Sequence, residues 1–185
     1  METFYSREEL EQIGFCSIGE DVKISKKTSI FGAENIRIGN HVRIDDYVYL
    51  SGNITFGNYI HISTGVVLYG GSFGIEFMDY SGLACRCAIH AHSDDYLGFF
   101  MTNPTLPEEC RVVEGAKVVI GKYVIVGSGT TILPGVSIGE GTSVGAMSLV
   151  RKSLKPWSVY TGNPCKRITY RRKDMLEYLK NIEMN

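Results

Sequence analysis

Apolar residues recur at every sixth position over long stretches of this chain. Ile38, Ile44, Leu50, Phe56, Ile62 and Leu68 form one run, and Ile120, Val126, Ile132, Ile138, Val144 and Val150 form another. Shorter runs, Ile18, Ile24, Ile30, Ile36 and Phe77, Leu83, Ile89, fill much of the remainder. A period of six is the signature of a parallel β-solenoid, and it constrains both the fold and where a site can sit. Glycine follows the anchor at Gly19, Gly39, Gly57, Gly121, Gly127, Gly139 and Gly145, which makes two long runs by chance untenable.

Each anchor has an inward partner two positions earlier, because i and i−2 share a face of a strand. These partners, among them Val22, Thr28, Val42, Val48, Ile60, Val66, Val124, Thr130, Val136, Thr142 and Ser148, are β-branched or small and suit a tight interior corner. Turn-forming residues follow the anchors, as in Gly19-Glu20-Asp21, Asp45-Asp46 and Gly139-Glu140-Gly141. Three strand-and-corner units return the chain above its start, and stacked coils hydrogen-bond at about 4.8 Å.

The breaks in register mark insertions. A shift of two between Ile36 and Ile38, and of three around Gly70–Gly74, imply small corner loops. The main interruption, about 28 residues over 90–117, contains Phe99, Phe100, Met101, Pro104, Leu106 and Pro107. It is too apolar for a free tail and reads as an arm packed on a neighbouring surface. Open strand edges at the ends of a solenoid need covering. Ser6-Arg7-Glu8-Glu9 is a capping box opening a short helix with Leu10 and Ile13. Met175, Leu176, Leu179 and Ile182 predict an amphipathic helix over 171–182. The expected layout is one domain: an N-terminal cap (1–15), N-terminal coils (16–89), the excursion (90–117), C-terminal coils (118–154), and a tail with helix (155–185).

The net charge is −1 and no basic stretch precedes the C-terminus, which argues against nucleic acid as a partner. The first residues are not a secretory signal and no apolar run reaches membrane-spanning length, so a cytoplasmic protein without membrane insertion is expected. Cys16, Cys85, Cys87, Cys110 and Cys165 lack paired spacing and read as reduced thiols.

The repeats over 120–150, followed by Lys155-Pro156-Trp157 and Gly162-Asn163-Pro164-Cys165-Lys166-Arg167, resemble the hexapeptide-repeat acyltransferases. The likeness is nearest to galactoside, maltose and xenobiotic O-acetyltransferases and to enzymes that acetylate surface-polysaccharide sugars. The resemblance implies an all-β solenoid: a left-handed parallel β-helix with short N-terminal and C-terminal capping helices and one long loop excursion. It also implies acetyl-CoA as cosubstrate, no metal requirement, and a homotrimer with active sites between subunits. Carried over by position, Ser128 and Ala146 present backbone amides to the thioester and pantetheine, with Gly127 and Gly145 beside them. Arg151, Lys152, Asn163, Pro164, Lys166 and Arg167 fall where the family contacts the rest of the cofactor. Physically, small residues on a flat solenoid flank suit a thin pantetheine chain, and Lys or Arg at its far end suits phosphates.

Acyl transfer to a hydroxyl needs a base, for which an imidazole held by a carboxylate is suited. The candidate stretch is Ile89-His90-Ala91-His92-Ser93-Asp94-Asp95-Tyr96. Aligned through Ile89, the family's histidine position falls on Asp94, with His92 two residues earlier. An extended segment would point His90 and His92 the same way with Asp94 beyond them. The favoured base is His92, oriented by Asp94 or Asp95; Asp94 acting directly is the alternative. An amino-sugar nucleophile, needing less help from a base, is another. His61, His90 and His92 allow a zinc site as a rival reading. The first expectation is O-acetylation of a sugar or polysaccharide precursor, the second N-acetylation of a nucleotide-linked amino sugar, the third a non-catalytic or zinc-binding solenoid. Tyr47, Tyr49, Tyr69, Tyr80 and Tyr96 are candidates to stack on an acceptor sugar.

Overall fold

The structure is a computed structural model describing residues 3–182. The predicted anchors stack on one another, coil upon coil, as parallel pairs. On the first face Ile18, Ile38, Phe56, Phe77, Ile120 and Ile138 align in register. On the second, Ile24, Ile44, Ile62, Leu83, Val126 and Val144 align, with Tyr160 at the end. On the third, Ile30, Leu50, Leu68, Ile89, Ile132 and Val150 align. The result is a left-handed parallel β-helix of about 7 turns.

The core is the interior of this column. The partners Val42, Val48, Ile60, Val66, Val124 and Val136 are each no more than 1% exposed. Full burial of such a side chain contributes roughly 1.5–3 kcal/mol. Thr130, Thr142 and Ser148 fill equivalent positions without leaving a polar group orphaned. Their hydroxyls donate to the corner carbonyls of Gly145 (3.2 Å), Lys155 (2.8 Å) and Gly145 (2.7 Å) respectively.

One corner departs from the expected glycine-type chemistry. Its left-handed position is held by His41, Tyr59, Tyr80 and Tyr123 in four successive coils, then by Gly141, over which Trp157 of the next coil packs, all at positive φ. Their rings stack, with centroids 4.5 Å apart for His41–Tyr59, 4.8 Å for Tyr59–Tyr80 and 5.4 Å for Tyr80–Tyr123. Each contact contributes about 0.5–1.5 kcal/mol, which offsets the cost of left-handed backbone in a side-chain-bearing residue. Tyr80, a candidate sugar platform on sequence grounds, is therefore sandwiched between neighbours.

The insertions fall where the register breaks. The shift near Ile36 is a 3₁₀ turn, Ala33–Asn35. The strands Tyr49–Phe56 and Val67–Phe77 run around a corner without interruption, the second taking up three extra residues as a bulged register. The long excursion leaves the third face after Ile89 and begins and ends as an antiparallel hairpin, His92–Asp94 against Val113–Gly115. Its tip exposes Tyr96 (91%), Leu97 (83%) and Phe99 (79%). The chain rejoins the column at Val118–Ile120, paired to Ile75–Phe77.

Helix α1, Arg7–Ile13, has the expected capping box, with Ser6 and Glu9 exchanging side-chain-to-backbone bonds and Leu10 only 2% exposed. At the far end, Ser158–Thr161 continues the second face and Lys166–Tyr170 folds back antiparallel along its edge. Helix α2, Leu176–Ile182, starts later than the sequence suggested. Arg171 instead stays extended, its guanidinium donating to the carbonyls of Tyr123 (2.8 Å) and Gly141 (3.1 Å). Met175 and Leu179 line a groove together with Leu83 and Ile125 of the second face; the side chain of Ile182 is outside the described residues. Among the described residues no helix is long and apolar enough to cross a membrane.

Candidate active site

The excursion's hairpin and the third face enclose a cleft of about 680 Å³. Tyr69, His90, Thr131, Leu133 and Pro134 line it from the column, and His92, Asp94, Tyr96, Arg111 and Val113 from the hairpin. His90, His92 and Asp94 thus come together. The segment is not continuously extended: it bends at Ala91, which is fully buried and bonds its amide to the Tyr69 carbonyl at 2.9 Å. That bend ends the column strand and starts the hairpin.

The two histidines are in different environments. His90 stacks on Tyr69, centroids 5.2 Å apart at 21°. Burial, and secondarily the neighbouring His92, pushes its pKa down, so it is neutral near pH 7. His92 meets Tyr69 edge-on, at 6.5 Å and 87°. Its Nδ1 is buried without a hydrogen-bond partner. The atom faces Gly71, whose φ of +51° opens space that a side chain would fill: a methyl group there would stand 2.8 Å from Nδ1. The accessible ring nitrogen is Nε2.

No carboxylate among the described residues orients His92. Asp95 is committed to the excursion, accepting from the amides of Leu97 (2.6 Å) and Phe100 (2.7 Å). The Phe100 bond foremost, then the Leu97 bond, holds its carboxyl below the usual range. Asp94 lines the cleft beside His92 without bonding to it. The expected His92–carboxylate dyad is therefore replaced by two separate groups, because the hairpin puts both on one face two residues apart.

The remaining candidates lie elsewhere on the copy. Gly127 and Gly145, Ser128 and Ala146 stack along the corner between the second and third faces, where Met147 donates its amide to the Ser128 carbonyl at 2.8 Å. Close coil approach explains Gly127, since a methyl group there would stand 2.5 Å from the Ala146 nitrogen. Among the described residues the amides of Ser128 and Ala146 have no protein acceptor. Arg151, Lys152, Lys166 and Arg167 are exposed beyond this ladder, and Asn163–Pro164 forms the tip of the terminal hairpin. His61 is on the second face with its Nε2 2.8 Å from Asp45, so it does not join His90 and His92. The three-histidine zinc reading fails on that separation. Cys85 and Cys87 point to opposite sides, one exposed and one buried.

Sequence reasoning passed over Tyr69's contact with both histidines, Gly71 and Arg111. The three-residue slip at Gly70–Gly74 was the available signal for Gly71; Arg111 sits where no periodicity operates.

The bacterial transferase hexapeptide pattern (six repeats) matches residues 110–152. A dTDP-4-amino-4,6-dideoxy-D-glucose acyltransferase of Escherichia coli is 40% identical over 172 residues, 91% of this chain and 89% of that protein. The chain belongs to the hexapeptide-repeat acyltransferase family. Among solved structures, AntD, an N-acyltransferase from Bacillus cereus in complex with dTDP and 3-hydroxybutyryl-CoA, is 44% identical with a TM-score of 0.95, covering 100% of this chain and 98% of that one. A variant of AntD in complex with dTDP-4-amino-4,6-dideoxyglucose and coenzyme A matches with a TM-score of 0.96 at 44% identity, with 100% and 98% coverage. These relatives match the second expectation, acylation of a nucleotide-linked amino sugar, better than the first.

Proposed function

We propose that this protein moves an acyl group from a coenzyme A thioester to the amine of a nucleotide-linked amino sugar. The observation that carries this reading is full-length likeness to an N-acyltransferase bound to coenzyme A and a dTDP-linked amino sugar. The cleft supports it independently. A hydroxyl acceptor requires an oriented base, whereas here Nδ1 of His92 faces the Gly71 backbone and the Asp95 carboxylate is occupied. An amine arrives as an ammonium ion, which the Asp94 carboxylate holds while Nε2 of His92 takes a proton. The freed lone pair attacks the thioester carbonyl; as the adduct collapses, the C–S bond breaks, the nitrogen gives up its second proton and the expelled coenzyme A thiolate takes it, so that ammonium and thioester become amide and thiol with one proton left on His92.

The donor fits the corner ladder. Ser128 and Ala146 offer unpaired amides to pantetheine, with Gly127 and Gly145 leaving room, and Arg151, Lys152, Lys166 and Arg167 offer charge to phosphates. Since this ladder is not in the cleft of the same copy, a homotrimer in which one copy's ladder adjoins the next copy's cleft completes the site. The exposed Tyr96, Leu97 and Phe99 support that packing. The 3-hydroxybutyryl-CoA complex of AntD supports an acyl group larger than acetyl. Both substrates being intracellular metabolites supports a cytoplasmic role in making glycan precursors.

The test is to supply acyl-CoA with dTDP-4-amino-4,6-dideoxyglucose or with dTDP-glucose and follow thiol release and product mass. A hydroxylamine-resistant product from the amine alone is expected. A hydroxylamine-labile product from the hydroxyl sugar, with none from the amine, overturns the reading.

A further inference from the structure

The hairpin brings one further charge into the cleft. Its register pairs His92 with Gly115 and Asp94 with Val113. Cross-strand partners share a face, so Arg111, two residues before Val113, projects to the side that carries His92 and Asp94, about 7 Å further along the strand. Arg111 lines the cleft with them. Its Nε is buried without a hydrogen-bond partner, and among the described residues its guanidinium makes no ion pair. The only other orphaned buried side-chain nitrogen among the described residues is His92 Nδ1, in the same cleft.

An unpaired guanidinium and an unpaired carboxylate along one wall call for a ligand with an anion and a cation at matching separation. A nucleotide-linked 4-amino sugar is such a ligand: the amine on C4 and the diphosphate on C1 lie at opposite sides of one pyranose ring. We infer that Arg111 is a specificity-determining residue that takes the diphosphate of the acceptor while Asp94 takes its amine. The inference rests on the reading of the acceptor given above and extends it to a named residue. A planar fork suits phosphate oxygens better than an ammonium does. Coenzyme A also carries a diphosphate, so the two sources need separate arms.

The experiment is calorimetric titration of the wild-type protein and of the Arg111→Gln and Arg111→Lys variants with dTDP, and separately with coenzyme A. Arg111→Gln should weaken dTDP binding by about 10- to 100-fold. Arg111→Lys should restore part of it, and coenzyme A affinity should stay within about twofold of wild type, which also shows that the variants fold. In steady state the loss should appear in KM for the nucleotide sugar rather than for acyl-CoA. Unchanged dTDP affinity in Arg111→Gln overturns the inference, as does a loss confined to coenzyme A. Failure of the wild type to bind dTDP overturns it too; acylation of a nucleotide-linked amino sugar by the same preparation would show that the function stands without it.

Discussion

The imidazole of His92 rests on the backbone of Gly71, with room for nothing between them. Replacing Gly71 by Ala puts a methyl group 2.8 Å from Nδ1 and a side chain at a φ of +51°. The ring must move, and the strained backbone costs about 1 kcal/mol. We expect Gly71→Ala to lower kcat at least tenfold with a fall in Tm of a few degrees and an unchanged KM for acyl-CoA. Wild-type kcat would show that the position of His92 is immaterial.

His92→Ala should lower kcat by about two to four orders of magnitude if Nε2 takes the amine proton. Asp94→Asn should act chiefly on KM for the amino sugar. Steady-state kinetics separates the two; retained turnover in His92→Ala with loss in Asp94→Asn would move the proton to Asp94.

Ala146 is exposed on the corner ladder. Ala146→Leu should raise KM for acyl-CoA about tenfold or more by filling the pantetheine track, while leaving Tm within a degree or so. Coenzyme A should raise the Tm of the wild type and not that of the variant. Equal thermal shifts in both proteins would place the donor elsewhere.

His90 sets a pH dependence of stability. Its pKa is lowered in the folded protein, first by burial and then by His92, so the unfolded chain binds its proton more readily. Stability from this group is present above the ordinary histidine pKa, about 6.5, and declines as pH falls through it towards the folded value. The Tm of the wild type should therefore drop between about pH 7 and pH 5.5, and that of His90→Gln should drop less. Identical slopes by calorimetry would remove His90 from the account.

In the column, Phe56 and Phe77 stack with centroids 5.2 Å apart, and both are at most 2% exposed. Phe77→Ala should cost about 3–5 kcal/mol, measurable by denaturant unfolding. A cost below about 1 kcal/mol would mean that the coils repack around the vacancy.

The column was legible because one side chain in six does the same task in every coil, so the pattern repeats often enough to stand out. Leu50 falls on Leu68 and Ile132 on Val150 from the spacing of three hexads alone, and both pairs form. The site was legible only as a stretch. His90, His92 and Asp94 were named, but not the bend at Ala91 that turns the last two onto a hairpin, nor the partners of Asp95. Those depend on single contacts, such as His92 on Gly71 or Asp95 on the amides of Leu97 and Phe100, which leave no periodic trace. Arg111 was hidden for a further reason: its place is fixed by a pairing across a loop whose length the sequence does not constrain.

The long detour after Ile89 leaves no mark on the stack, since the coil that follows settles onto the one before as though nothing intervened. Under the proposed function, part of acceptor recognition falls on a segment outside the register of the scaffold. Exchanging residues 92–115 for the matching piece of a relative should transplant sugar preference while the thioester track stays as it was, so that selectivity can diverge faster than chemistry.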